Sequence, residues 1–141
     1  MTNLKLKLSH VAVAVENLEA AKTFYTLLGL DFSPEVEEVP SQKVKTAFAP
    51  ITESYAHLEL LESTDPEGPV GQFLKKKGAG IHHLCFETED IYSLMATLKE
   101  KNISLIYELP QIGAGGCLVN FIHPKYSGGV LIELSQRRKQ Q

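Results

Sequence analysis

Two histidines and two glutamates recur at nearly the same spacing along the chain. His10 and Glu59 lie 49 positions apart, and His83 and Glu133 lie 50 positions apart. Neutral imidazole and carboxylate groups are ligands for first-row divalent ions. A buried carboxylate is costly unless it is paired or binds a metal. These four side chains are therefore candidate ligands of one divalent ion, and Co, Mn, Ni and Zn all suit these ligand types.

The alternation of strand residues selects one histidine of an adjacent pair. Neighbouring residues of a strand point to opposite faces. In the stretch GIHHLCFE, His82 and His83 therefore point to opposite faces. His83 takes the face that His10 takes in the first half of the chain, and His82 takes the face that packs under a helix. His57 shares the face of Glu59 and is an alternative ligand, but leucine stands at the equivalent position of the second half.

An internal repeat connects these residues, with an offset of 73 or 74 positions. HVAVAVENL at residues 10–18 matches HLCFETEDI at 83–91, and HLELLE at 57–62 matches LIELSQ at 131–136. Self-similarity at a fixed period indicates a repeated structural unit. Each half is predicted to form a strand, a helix and three further strands.

The helix and strand limits follow from caps, breakers and periodicity. Asn17 and Asp90 are predicted N-caps, and Gly29 ends the first helix. The apolar stripes of the two helices are Leu18, Ala21, Tyr25 and Leu28, and Ile91, Leu94, Met95 and Leu98. The further strands are predicted at 31–36, 43–49, 55–62, 104–108, 117–122 and 129–135.

The length of 141 residues indicates a single domain, 1–141. Its predicted parts are a first module at about 8–62, a linker with a short helix at 63–80, a second module at about 81–136 and a basic polar tail at 137–141. The tail is predicted to be solvated, and the two cysteines, Cys85 and Cys117, are predicted to be reduced, buried thiols.

The composition argues against several classes of partner. The chain is 43% hydrophobic and 22% charged, with a formal net charge of −3. No basic stripe runs through its body, so nucleic acid is not expected as a partner. No apolar run approaches the roughly 20 residues of a membrane-spanning helix. The N-terminus lacks a signal-peptide apolar region, and a cytoplasmic location is expected.

These features resemble the vicinal oxygen chelate superfamily of glyoxalases, extradiol dioxygenases and epimerases, and within it the methylmalonyl-CoA epimerases. The resemblance covers about residues 9–136, and its most diagnostic stretch is FIHPKYSGGVLIELSQ, residues 121–136. It implies an α+β fold in which two tandem βαβββ modules form a cupped, barrel-like mixed sheet. The metal ligands of the family map onto His10, Glu59, His83 and Glu133.

The resemblance implies metal-dependent epimerisation of methylmalonyl-CoA through α-proton abstraction and a metal-stabilised enolate. Glu133 and Glu59 are then the expected acid/base residues. Some epimerases carry a glutamate where Lys45 stands here, which makes Lys45 or His57 the next candidate for the second acid/base group. An acyl-CoA substrate and a homodimer are also implied.

Two other functions remain open on the same residues. The His/Glu/His/Glu ligand set is also that of bacterial glyoxalase I, a lactoylglutathione lyase. The C-terminal stretch and the absence of an arginine in ENLEAAKTFY favour the epimerase. A non-catalytic small-molecule-binding protein of this fold is the second alternative, and such proteins usually lack the metal ligands.

Overall fold

The order of elements along the chain confirms the two predicted βαβββ modules. The computed structural model describes residues 5–138. The first module contains β1 (Lys7–Ala14), α1 (Leu18–Leu27), β2 (Glu37–Val39), β3 (Val44–Pro50) and β4 (His57–Ser63). The linker contains the predicted short helix, α2 (Pro69–Lys77), which has Gly78 as its C-cap. The second module contains β5 (Gly80–Glu87), α3 (Ile91–Glu100), β6 (Gln111–Ile112), β7 (Leu118–Ile122) and β8 (Leu131–Gln136).

The chain divides into two compact units with the same internal strand order. One unit is His10–His82, and the other combines residues 5–9 with 83–138. In the first unit β1 pairs in parallel with β4. On its other side β4 pairs with β3, and β3 pairs with β2, both in antiparallel orientation. In the second unit β5 pairs in parallel with β8, and β8, β7 and β6 are antiparallel. Each module thus places its first strand beside its last.

Both predicted N-caps are confirmed. Asn17 Oδ1 accepts a hydrogen bond from the Ala20 amide at 2.9 Å, and Asp90 Oδ1 accepts one from the Ser93 amide at 3.0 Å. Asp90 Oδ2 also accepts a hydrogen bond from the Ser93 hydroxyl at 2.8 Å. Hydrogen bonds from the Ser93 amide and hydroxyl hold the pKa of Asp90 below its ordinary value.

We expect Asp90→Ala to destabilise the protein in a pH-dependent way. Because the pKa of Asp90 is lowered in the folded state, its carboxylate contributes stability above its unfolded pKa of about 3.9. That contribution is lost as the pH falls through the folded pKa. The difference in Tm between wild type and Asp90→Ala should therefore shrink between about pH 7 and about pH 3.

Asn17→Ala is the matched control, because it removes the equivalent cap of α1 without removing a titrating group. It is expected to cost about 1 kcal/mol throughout the same pH range. An Asp90→Ala difference as constant with pH as that of Asn17→Ala would contradict the role given to the carboxylate.

The last strand of each module supplies a second acceptor to its helix. Glu62 Oε1 on β4 accepts a hydrogen bond from the Leu18 amide at 2.9 Å. Gln136 Oε1 on β8 accepts one from the Ile91 amide at 2.7 Å. These two acceptors lie 74 positions apart, the same offset as the two candidate glutamates. A carboxylate and an amide therefore perform the same structural task in the two modules.

Each helix packs on one face of its module. The buried core of the first unit contains Val15, Leu18, Ala47 and Leu60, with Ala21 and Tyr25 packed against it. The buried core of the second contains Ile91, Leu94 and Leu134, with Met95 and Leu98 packed against it. The predicted stripe is wrong at Leu28, which lies beyond α1 and is 66% exposed.

Two of the predicted strands are wrong. Residues 31–36 form no strand, and Pro34 within them has no amide hydrogen for a ladder. Residues 104–108 form only an isolated bridge. There the Asn120 side chain accepts a hydrogen bond from the Tyr107 amide at 3.0 Å and donates one to the Tyr107 carbonyl at 2.9 Å. One side chain thus makes the hydrogen bonds that a paired strand would otherwise make.

Of the predictions for the cysteines and the tail, only the burial of Cys117 is wrong. Cys85 is a buried thiol, but Cys117 is a thiol that is only half-buried, so the prediction of two buried thiols is wrong for Cys117. Arg137 pairs with Glu87 at 3.0 Å, and Arg138 Nε donates to a backbone carbonyl oxygen at 2.7 Å. Both arginines are nevertheless exposed, in agreement with the predicted solvated tail, and residues 139–141 lie outside the described residues. Within the described chain, no helix has the length and apolarity to cross a membrane.

Candidate functional site

In the His10–His82 unit, the predicted histidine and glutamate meet on neighbouring strands. The parallel register of β1 and β4 places Ala12 beside Glu59. His10 is two residues before Ala12 on β1, so its side chain lies on the same face of the sheet as Glu59. His10 Nε2 lies 3.2 Å from Glu59 Oε1. The two residues are 7% and 3% exposed, so the contact is buried.

The second unit contains an equivalent pair. The parallel register of β5 and β8 places Cys85 beside Glu133. His83 is two residues before Cys85 on β5, so its side chain lies on the same face of the sheet as Glu133. His83 Nε2 lies 3.0 Å from Glu133 Oε1, and these residues are 4% and 8% exposed. All four predicted ligands are therefore buried and arranged as one histidine–glutamate pair in each unit.

The distances and the donor set of each pair fit two adjacent ligands of a divalent ion. With bonds of about 2.1 Å to nitrogen and oxygen, adjacent ligands of an octahedral ion lie about 3.0 Å apart. The measured nitrogen–oxygen distances are 3.2 and 3.0 Å. A buried carboxylate requires compensation for the water it has lost, which a cation supplies. Each pair is thus suited to supply two ligands to a first-row divalent ion.

A phenylalanine that the sequence analysis did not single out flanks each pair. Phe48 on β3 lies opposite Glu59 in the strand register, and Phe121 on β7 lies opposite Glu133. Their ring centroids lie 5.5 and 5.9 Å from the imidazole of the same unit, with interplanar angles of 84° and 89°. The two phenylalanines are 73 positions apart, so the repeat offset could have identified them.

The other histidines occupy different surroundings. His82 lies edge-on to Phe73 of α2, with ring centroids 4.9 Å apart. His57 lies on the face of the first pair, and its Nδ1 is 3.2 Å from a backbone carbonyl oxygen. His123 precedes a short 3₁₀ turn and accepts a hydrogen bond from the Lys125 amide at 3.0 Å.

Lys45 lies on the opposite face of β3 from the first pair. Phe48 and Thr46 share one face of the strand, whereas Lys45 shares the other with Ala47, which belongs to the core under α1. Lys45 is therefore removed as a candidate acid/base residue. Thr46, which is 1% exposed, lies on the face of the pair, and its hydroxyl donates to the Glu37 carbonyl at 3.5 Å.

Comparisons with known proteins agree with one another. The family model of the Glyoxalase/Bleomycin resistance protein/Dioxygenase superfamily matches residues 9–121. The mitochondrial methylmalonyl-CoA epimerase of Dictyostelium discoideum is 39% identical over 133 residues, which cover 93% of this chain and 78% of that protein. The ethylmalonyl-CoA/methylmalonyl-CoA epimerase of Cereibacter sphaeroides is 41% identical over 133 residues, which cover 92% of this chain and 97% of that protein.

A solved structure shares the fold over almost the whole chain. It is a Streptomyces coelicolor methylmalonyl-CoA epimerase variant in complex with 2-nitronate-propionyl-CoA. The TM-score is 0.87 at 32% sequence identity, and the match covers 94% of this chain and 98% of the other. The predicted fold class is thereby confirmed.

Proposed function

Because this chain belongs to the methylmalonyl-CoA epimerases of the Glyoxalase/Bleomycin resistance protein/Dioxygenase superfamily, we propose that it interconverts the two epimers of methylmalonyl-CoA. The structural observation that carries the proposal is the buried histidine–glutamate contact found at the same place in both units. Epimerisation needs a group on each side of the reacting carbon, and a repeated pair can supply both.

The reaction requires a base that removes the α-proton of methylmalonyl-CoA. The α-proton of methylmalonyl-CoA lies between a thioester and a carboxylate, and its removal gives an enolate. Glu133 is our proposed base, and Glu59 at the equivalent position is its proposed partner for proton delivery to the opposite side. His83 Nε2 and His10 Nε2 lie 3.0 and 3.2 Å from one oxygen of these carboxylates, so each histidine is placed as a neighbouring ligand of its glutamate.

One divalent ion bound by His10, Glu59, His83 and Glu133 is part of the proposal. When bound, it supplies electrostatic stabilisation of the negative charge that develops on the thioester oxygen. The proposal is supported by the donor types, by their burial and by the nitrogen–oxygen distances within each pair. Co, Mn, Ni and Zn are all compatible with these donors.

The proposal extends to the substrate range, the assembly and the location of the protein. The name of the Cereibacter relative includes ethylmalonyl-CoA, which we propose as a second acyl-CoA substrate.

A homodimer is supported by the exposed apolar side chains of Phe24, Leu27 and Leu28 in and just after α1, since exposed apolar clusters mark interaction surfaces. A cytoplasmic location is proposed because Cys85 and Cys117 are both present as reduced thiols.

A stereochemical assay tests the proposed activity. Metal-loaded protein is expected to convert a single epimer of methylmalonyl-CoA into an equal mixture, which chiral chromatography follows. The same preparation should form no lactoylglutathione from methylglyoxal and glutathione. An unchanged epimer together with rapid lactoylglutathione formation would contradict the proposal and assign a glyoxalase I activity instead.

A further inference from the structure

We propose that Phe48 and Phe121 are positioning residues that hold the imidazoles of His10 and His83 in the orientation needed for metal binding. This inference rests on the proposed metal site. It extends that site to two residues that provide no ligand atom and are given no part in proton transfer.

The ring geometry is the same in both units. Each phenylalanine meets its histidine almost perpendicularly, with interplanar angles of 84° for Phe48 and 89° for Phe121. Edge-to-face pairs are favourable beyond the area that they bury. A ring in this position resists rotation of the imidazole about its Cβ–Cγ bond. The imidazole is therefore kept with Nε2 towards the carboxylate of the same unit, at 3.2 Å and 3.0 Å.

Each phenylalanine is itself held by a further ring. The Tyr107 ring lies 6.2 Å from the Phe121 ring, at an interplanar angle of 71°. Asn120, which is fully buried, fixes the backbone of Tyr107 through hydrogen bonds of 3.0 and 2.9 Å. In the other unit the His57 ring lies 6.4 Å from Phe48 at 79°. Each phenylalanine thus contacts both its histidine and a further ring.

Phe48 and Phe121 thus have a proposed function beyond packing in the protein core. Groups around a metal-binding histidine fix its orientation, and their loss weakens metal binding. Phe32 and Phe86 pack against the cores under α1 and α3. The same substitution at these two positions therefore separates loss of packing from loss of histidine orientation.

The test compares four phenylalanine-to-leucine variants of the full chain with Co²⁺ as the probe. Leucine keeps an apolar side chain and removes the ring. We expect Phe48→Leu and Phe121→Leu to bind Co²⁺ about 2- to 10-fold more weakly in calorimetry. The visible absorption of the bound Co²⁺ should shift as well. Phe32→Leu and Phe86→Leu should lower the Tm and leave both Co²⁺ readouts unchanged.

Wild-type affinity and an unchanged Co²⁺ spectrum in both Phe48→Leu and Phe121→Leu would overturn the positioning role. Wild-type protein that takes up no Co²⁺ would instead refute the proposed metal site, and the positioning role with it. If a leucine variant does not fold, Phe48→Met or Phe121→Met removes the ring with a smaller change in volume and must meet the same two criteria.

Discussion

Glu133→Gln is expected to lower the rate of α-proton exchange in methylmalonyl-CoA by about 10²–10⁴-fold, the usual contribution of a general acid/base group. Glutamine has nearly the shape of glutamate and can keep an oxygen beside His83 Nε2, but it does not accept the substrate proton. Exchange is measured by ¹H NMR in D₂O with protein whose metal content has been determined. Circular dichroism and Tm establish that the fold is retained.

Glu62→Gln is the matched control, since it makes the same chemical change on β4. Glu62 accepts a hydrogen bond from the Leu18 amide, and Gln136 performs the same task for α3. We therefore expect Glu62→Gln to keep exchange near the wild-type rate. Undiminished exchange in metal-loaded Glu133→Gln would remove Glu133 from the role of base.

The second large effect is expected on metal binding. If one ion takes ligands from both units, wild-type protein binds one ion per chain, and His10→Ala and His83→Ala each weaken the binding of that same ion. Loss of a partner outside the ligand set typically costs about 10- to 100-fold in metal affinity, so loss of a ligand should cost at least that much. Elemental analysis gives the stoichiometry, and titration calorimetry gives the affinity.

His82→Ala is the control for these two variants. His82 is adjacent to His83 in the chain, but its ring packs against Phe73 of α2. Its replacement should leave both the metal content and the affinity unchanged. Two ions per wild-type chain, with one tight ion retained in each single variant, would contradict a shared ion.

The repeat and the strand period account for what could be predicted from the sequence. The offset of 73 or 74 residues locates both modules and pairs His10 with His83 and Glu59 with Glu133. The period of two then assigns each side chain to a face, as the burial of both pairs confirms. The caps Asn17 and Asp90 were predictable because capping depends on local sequence.

The features that could not be predicted from the sequence arise from contacts between residues that are far apart in the chain. The segment at 104–108 looks like a strand, but the side chain of Asn120 replaces its backbone partner. Phe48 and Phe121 resemble core residues until their contacts with the histidines are known. Lys45 illustrates a different limit, because an error of one residue in strand alignment moves a side chain to the opposite face.

Metal-dependent epimerisation is tested most directly by ¹H NMR of methylmalonyl-CoA in D₂O with metal-reconstituted protein, with and without EDTA. We expect deuteration at the α-carbon and loss of stereochemical purity, both suppressed by EDTA and restored by added divalent metal. A protein that demonstrably holds its metal and yet exchanges no α-proton would contradict the claim.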